Sequence, residues 1–208
     1  FDLFAQTLYE MIWNQYCDWY LELTKPLLKS GDPKTVAETK YILIQSLETI
    51  LRLAHPLIPF ITEEIWQQIQ PLAKVQPGLL TSSAYPQASS WQQNLEVDKE
   101  IHILKQLITG VRTIKAEMNI APNKRVPIIV IANNKDELDL VFKHEAIFSD
   151  LAKLESISTK TTSCAIPASA TYLVGKIEIH IPLADLIDKD AELARLNKAI
   201  SKLEKSLQ

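Results

Sequence analysis

Glycine is scarce in this chain: only 4 of its 208 residues are Gly, whereas average usage is roughly 7%. Tight hairpin turns draw on Gly because they need a positive φ, so this scarcity argues against a hairpin-rich β sandwich. The phosphate-binding patterns G-x-G-x-x-G and G-x-x-x-x-G-K-[ST] are both absent. We therefore expect a fold that has no phosphate-binding loop of its own.

Long apolar runs and clustered metal ligands are also missing. No stretch of about 18 apolar residues occurs, so the sequence predicts no membrane-spanning helix. Cys17 and Cys164 lie far apart without metal-like spacing, which indicates reduced thiols in a cytoplasmic protein. The four histidines form no zinc pattern, and no G-x-S-x-G turn is present. The sequence predicts no metal, cofactor or catalytic group within this chain.

The chain contains several long segments with the apolar spacing of amphipathic helices. Apolar residues recur at steps of three and four over residues 3–24, and similar spacing predicts helices over about 33–54, from near Thr62, and over about 97–118. Asp32 followed by Pro33 is typical of a helix start. The predicted fold is mainly α, and four helices of this length favour an antiparallel bundle, which we assign to residues 1–121.

The pattern changes after the bundle. A β-branched run at 126–132, one or two helices within 135–154, and strands at 155–160 and 172–182 predict a small α+β unit over residues 122–185. Heptad spacing of Leu and Ile over 186–208 predicts the start of a coiled coil, with its partner helix beyond Gln208. Because the chain also starts at Phe1 without a signal peptide, we expect it to be part of a longer protein.

The charge is unevenly distributed. The chain has 22 basic and 25 acidic side chains, a net charge of −3. Residues 99–125, in contrast, hold six basic and two acidic side chains. Arg112 and Lys115 are three residues apart and share a helix face, which could contact a phosphate backbone. An ordinary solvated helix face is the alternative interpretation.

Three stretches carry a resemblance to a known family. Residues 13–25, WNQYCDWYLELTK, and 111–127, VRTIKAEMNIAPNKRVP, resemble the anticodon-binding region of the valyl-tRNA synthetases. Residues 52–66, RLAHPLIPFITEEIW, are similar to a proline-containing turn that the isoleucine and leucine enzymes share. The heptads over 190–203 resemble the opening of the C-terminal arm of the valine enzymes.

This resemblance implies the C-terminal portion of a class I aminoacyl-tRNA synthetase. The HIGH and KMSKS signatures are absent from the chain, so the chemistry would lie elsewhere in the intact, monomeric enzyme, which joins valine to its tRNA using ATP with magnesium. The implied partners are the tRNA for valine and the enzyme's own catalytic domain, without a membrane. The alternatives are the same region of an isoleucine or leucine enzyme, or a helical protein-interaction module without an RNA role.

The candidate RNA-binding side chains come from the basic window and the coil. Aromatic residues at helical spacing, which could stack on bases, are expected to pack in the core instead: Trp13, Tyr16, Trp19, Tyr20 and Trp66. An exposed member of that set would favour RNA binding. The basic and amide candidates are Lys105, Arg112, Lys115, Asn119, Lys124, Arg125, Arg195, Lys198 and Lys202.

Overall fold

The computed structural model describes residues 1–88, 93–132, 134–160 and 168–183. Within these ranges the chain is mostly helical and contains one four-stranded sheet, as the mainly α prediction requires. The chain divides into two compact units, residues 1–94 and residues 95–208. Cys164 and the predicted coiled coil over 186–208 lie outside the described residues.

The first unit opens with one continuous helical path. Helix α1 (Asp2–Glu10) passes through a π-helical segment (Met11–Tyr20) into α2 (Leu21–Leu28). In the π-helical segment the N–H of Leu21 donates to the carbonyl of Tyr16, five residues earlier. The path runs beyond the predicted end at residue 24 and contains Pro26. Pro26 lacks the N–H of one helical hydrogen bond, and α2 ends two residues later, shortly before Gly31 with its φ of 77°.

Two further helices form the core of this unit. Helix α3 (Pro33–Ala54) starts as predicted, because the Asp32 carboxylate accepts hydrogen bonds from the N–H groups of Lys34 and Thr35 at 3.3 and 3.0 Å. The hydroxyl of Thr35 and then these N–H groups hold the pKa of Asp32 below its usual value. Helix α4 (Pro59–Ala73) packs against α3. Their shared core, with one residue of the following turn, consists of Leu51, Trp66, Ile69 and Leu80.

The segment after α4 is held by side chains of that helix. Trp66 Nε1 donates to the Gly78 carbonyl at 3.0 Å, and the Gly78 N–H donates to Gln70 Oε1 at 3.0 Å. The Leu80 N–H donates to Glu63 Oε2 at 2.9 Å, where a short 3₁₀ turn (Leu80–Ser82) begins. The described part of this segment is therefore largely loop, and hydrogen bonds with side chains of α4 determine its course.

The second unit is a helix-covered sheet. Its elements are α5 (Leu95–Glu117), β1 (Val126–Ile131), α6 (Lys135–Lys143), α7 (Glu145–Ala152), β2 (Leu154–Lys160), β3 (Ser169–Val174) and β4 (Ile177–Pro182). The strand order is β2-β1-β4-β3, with β1 parallel to β2 and the other pairs antiparallel. In β4 the apolar residues Ile177, Ile179 and Ile181 are buried. His180, on the other face, is buried as well, with its Nδ1 3.2 and 3.0 Å from the hydroxyl oxygens of Ser169 and Thr171, so buried and exposed side chains do not strictly alternate.

One predicted strand proves to be a hairpin. Residues 172–182 were expected to form a single strand, but β3 and β4 pair antiparallel, and the ladder closes at Val174 and Ile177. Gly175, with φ of 60°, begins the two-residue turn. One of the few glycines of the chain thus supplies a positive φ that the alternation of apolar residues does not reveal.

Helix α5 packs on the sheet at a glycine. A Cβ atom placed on Gly110 would lie 2.4 Å from Cδ1 of the Tyr172 ring in β3, so the helix backbone itself contacts the ring. Helix α5 was assigned to the bundle over residues 1–121, whereas the structure groups it with the sheet and divides the chain after Asn94. In the part of the chain that the structure describes, no helix is long and apolar enough to cross a bilayer.

Candidate nucleic-acid interface

Two basic side chains, one on α5 and one in the turn before β1, donate to backbone carbonyls near the end of α7 and the start of β2. Arg112 Nη2 donates to the Leu151 carbonyl at 3.1 Å, and Arg125 Nη1 donates to the Leu154 carbonyl at 2.7 Å. The Leu151 carbonyl lies in the last turn of α7, where carbonyls lack helical partners and carry partial negative charge, so a cation stabilises it. The Leu154 carbonyl belongs to the first residue of β2. The basic window of the sequence therefore has a structural role at this junction, besides any contact with RNA.

Lys115 is the most enclosed of these cations. The residue is 2% exposed, and its Nζ donates to the carbonyls of Lys124, Ala152 and Lys153 at 2.7, 2.8 and 3.1 Å. Burial lowers the pKa of Lys115 to about 8, from an ordinary value of 10.5. Neighbouring cations add to this lowering in the order Lys153, Arg125 and Arg112.

The assignment of Lys115 to an exposed RNA-binding face needs correction. Lys115 follows the fully buried Ile108 and Val111 at helical spacing, so its stem lies on the apolar stripe of α5 that faces the core. Its ammonium group donates hydrogen bonds to three backbone carbonyls inside the second unit. We therefore remove Lys115 from the candidate interface.

Four other candidates are exposed. Arg112 lies on α5, and Asn119, Lys124 and Arg125 follow in the turn that leads to β1. Asn119 has φ of 53°, a left-handed conformation that Asn tolerates and that turns the chain away from the helix axis. Lys105 is half-buried, and burial lowers its pKa. The remaining candidates lie outside the described residues: Arg195, Lys198 and Lys202.

A cleft of about 440 Å³ lies beside this cluster, entirely within the second unit. Arg112 and Lys115 line it from α5, Asn123 from the turn, and Lys153 from the residue that follows α7. The Lys153 ammonium also lies 3.3 Å from the Asp150 carboxylate. The rest of the lining is apolar: Ala116, Ile120, Pro122, Leu151 and Ala152.

Lys153 is a site residue that the sequence reasoning missed. It lies in the acidic stretch after the basic window, and no motif surrounds it. Lys153 and Arg112 line the same cleft, although the two residues are 41 positions apart in the sequence. Only the packing of α7 against α5 brings these cations to one cleft, so no local signal could have identified Lys153.

The aromatic residues of the first unit divide into two groups. Trp66 is buried in the core, as predicted, and Tyr16, Trp19 and Tyr20 are half-buried. Trp13 is 54% exposed, against the expectation of core packing, and its ring stacks on Tyr9 with centroids 6.3 Å apart and planes 7° from parallel. An exposed, flat aromatic surface of this kind suits contact with unstacked bases.

A second cavity, of about 280 Å³, lies in the first unit beside Arg52 and His55. Arg52 Nε lies 2.7 Å from Glu48 Oε1, and Arg52 Nη1 donates to the Ala84 carbonyl at 3.0 Å. His55 Nδ1 lies 2.9 Å from the Thr62 hydroxyl oxygen. These polar groups hold the first unit together. Within the described ranges, no three His, Cys, Asp or Glu side chains are grouped so that they could hold a metal.

The second unit has exposed cations beside a cleft, and the first unit has an exposed aromatic pair on a helix. Each of these features is of a kind that suits contact with single-stranded or looped RNA. Residues 1–130 match a family described as the anticodon-binding domain of tRNA ligases. The match covers more than half of the chain, so the protein belongs to this family of tRNA ligases and has tRNA as its partner. The match includes α5 and the turn after it, but not Leu151–Lys153 across the cleft.

Proposed function

We propose that this chain is the tRNA-holding part of a valine–tRNA ligase and binds the anticodon stem and loop. One observation carries the proposal: the exposed cluster of Arg112, Asn119, Lys124 and Arg125 lies within 111–127, the stretch that most resembles the valine enzymes. The resemblance at residues 13–25 supports the same assignment and includes the exposed Trp13. Family membership supports tRNA binding as such.

In this proposal the exposed cations and the exposed amide bind different parts of the RNA. Lys124, Arg112 and Arg125 contact phosphates, whereas the amide of Asn119 reads the edge of a base. Arg112 and Arg125 each donate to a backbone carbonyl, so their guanidinium groups are oriented before RNA arrives. This orientation lowers the entropy lost when the RNA binds.

The intact ligase must select its tRNA as well as its amino acid. The pocket for the amino acid does not contact the anticodon arm, so the choice of tRNA depends on nucleic-acid contacts such as those proposed here. We assign the chemistry, with ATP and magnesium, to other parts of a monomeric intact ligase. We also place that ligase in the cytoplasm, consistent with the free thiol of Cys17.

An exposed apolar cluster at the start of α4 supports a second contact. Ile58, Phe60 and Ile61 are 49%, 91% and 54% exposed. We propose that the catalytic domain of the intact ligase covers this cluster, because Phe60 is the most exposed large apolar side chain after the terminal Phe1 and burying apolar surface is favourable. The same cluster favours the alternative of a protein-interaction module, which would bind no RNA.

Titration of the full chain against tRNA anticodon arms tests the proposal. We expect the valine arm to bind more tightly than the isoleucine and leucine arms, with affinity that falls as salt rises. Lys124→Ala should weaken binding several-fold, whereas Lys176→Ala, which changes an exposed lysine in the β3–β4 turn, should not. Preference for the isoleucine or leucine arm would reassign the ligase. Absence of RNA binding would favour the protein-interaction module.

A further inference from the structure

The cleft beside Arg112 has three walls, two from neighbouring parts of the chain and one from about 30 residues further on. Helix α5 forms one wall, the turn with Ile120 and Pro122 forms the next, and the end of α7 with Leu151 forms the third. Its volume of about 440 Å³ lies within the range of small-molecule sites, about 300–1,000 Å³. The cleft is therefore large enough to hold a ligand rather than only a few waters.

The lining combines an apolar surface with cations. The buried Ile120 and Leu151 supply the apolar surface, and Arg112 and Lys153 supply charge. None of the lining side chains that the structure describes is a carboxylate, although Lys153 pairs with Asp150, which lies outside the lining. This combination suits a ligand that has a flat apolar part and an anionic part.

A nucleotide has this composition. Its base is planar and is desolvated readily against apolar or guanidinium surfaces, whereas its phosphate needs cations. Pro122 and Asn123 in the cleft wall belong to the same turn as Lys124 and Arg125, to which the proposed function assigns phosphate contacts. An RNA strand that follows this turn would pass the mouth of the cleft.

We propose that the cleft takes one unstacked nucleotide of bound RNA, with its base against Ile120 and Leu151 and its phosphate beside Arg112 and Lys153. This inference rests on the proposed RNA binding and goes beyond it in one respect. Leu151 and Lys153 lie outside the matched residues 1–130. The α+β part of the chain thereby contributes directly to RNA recognition, instead of only supporting α5.

Filling the cleft without removing charge provides the test. Ala116 lines the cleft and is exposed, so Ala116→Phe should occupy the space and leave the fold intact. Ala146→Phe, at an exposed position of α7 outside the lining, is the matched control. The probes are the valine anticodon arm, a series of the same arm with each loop nucleotide made abasic in turn, and the four free nucleoside monophosphates.

We expect wild type and Ala146→Phe to lose affinity for one abasic arm by about tenfold, the size of one base contact. Ala116→Phe should bind the intact arm about tenfold more weakly and should no longer distinguish that abasic arm. Lys153→Gln should weaken binding of every arm several-fold, whereas Lys176→Gln should not.

Several outcomes would overturn the inference, and they are distinguishable. If wild type binds the intact arm but treats all abasic arms alike, or if Ala116→Phe binds as wild type does, the nucleotide site is wrong and the proposed RNA binding stands. If free monophosphates bind and only their binding is blocked by Ala116→Phe, the cleft serves a free nucleotide instead. If wild type binds no arm, the proposed function and this inference both fail.

Discussion

At the scale of single residues, Lys115 joins three segments of the second unit. Its Nζ contacts carbonyls of the turn before β1, of the end of α7 and of the residue before β2. Lys115→Met keeps the apolar stem and removes the hydrogen-bond donor. The three carbonyls that accept from Nζ then lose this partner. We expect the free energy of unfolding to fall by about 3 kcal/mol. Urea denaturation followed by circular dichroism measures this loss.

Lys124→Met is the matched control for that substitution. The Lys124 side chain is exposed, and only its backbone carbonyl takes part in the contact. Its replacement should change the free energy of unfolding by less than about 0.5 kcal/mol. Equal effects of the two substitutions would mean that the Lys115 ammonium is not what joins these segments.

The lowered pKa of Lys115 predicts a particular pH dependence. Between about 8, its pKa in the folded protein, and 10.5, its ordinary value, the folded state has lost this proton and the unfolded state retains it. Unfolding therefore takes up a proton in this window, and raising the pH favours the folded state. The stability gap between wild type and Lys115→Met should widen as the pH rises from about 7 to about 10. A constant gap would contradict the lowered pKa.

Gly110 predicts an unusual response to alanine. A Cβ atom here would collide with the Tyr172 ring, so Gly110→Ala should destabilise the second unit despite a gain in helix propensity of about 1 kcal/mol. In a Tyr172→Ala background the collision is gone, and the same change should stabilise by about that amount. Thermal unfolding of the four proteins measures the reversal. Gly78→Ala, where nothing lies within 4 Å of the added atom, controls for the substitution itself.

At the scale of elements, α4 and the segment that follows it depend on one another. The buried Trp66 donates its indole N–H to the Gly78 carbonyl. Trp66→Phe keeps most of the apolar contact and removes the donor, so it should cost about 1–2 kcal/mol of stability. Trp13→Phe, at an exposed position, should cost less than about 0.5 kcal/mol. Calorimetry compares the two, and similar losses would show that the indole hydrogen bond is unimportant.

The elements also show which structural features local sequence patterns can predict and which they cannot. The limits of α3 and α5 could be predicted to within a few residues, because the Asp32 cap and the spacing of apolar residues act over a turn or two. The β3–β4 hairpin could not, because one alternating run of residues describes a single strand and two paired strands equally well. Its turn at Gly175 becomes recognisable only once the ladder from Ser169 to Pro182 is known.

At the scale of the whole molecule, charge is divided between the units. Residues 1–94 hold 6 basic and 9 acidic side chains, whereas residues 95–208 hold 16 of each. Neither unit is basic as a whole, so affinity for RNA has to come from a local cluster and not from net charge. This explains why a net charge of −3 is compatible with membership in a tRNA-binding family.

The size of that cluster predicts the salt dependence of binding. About three phosphate contacts, one each for Arg112, Lys124 and Arg125, should give a slope of about −2 for log K against log salt concentration on a single-stranded loop. Lys124→Ala should reduce the slope by about 0.7. Fluorescence titrations of the anticodon arm at several salt concentrations measure both. An unchanged slope would show that Lys124 contacts no phosphate.

The sequence by itself determined the helices, the change to an α+β pattern after residue 122 and the family resemblance that the match over residues 1–130 supports at the level of tRNA ligases. These depend on patterns local in the sequence: spacings of three or four residues for helices, β-branched runs for strands, and short motifs for the resemblance. The tertiary structure alone decided that Lys115 is buried, that α5 packs on the sheet, and that Lys153 faces the same cleft as Arg112. The physical reason is that carbonyls 37 and 38 residues away accept the Lys115 protons, and helical periodicity carries no information over that separation.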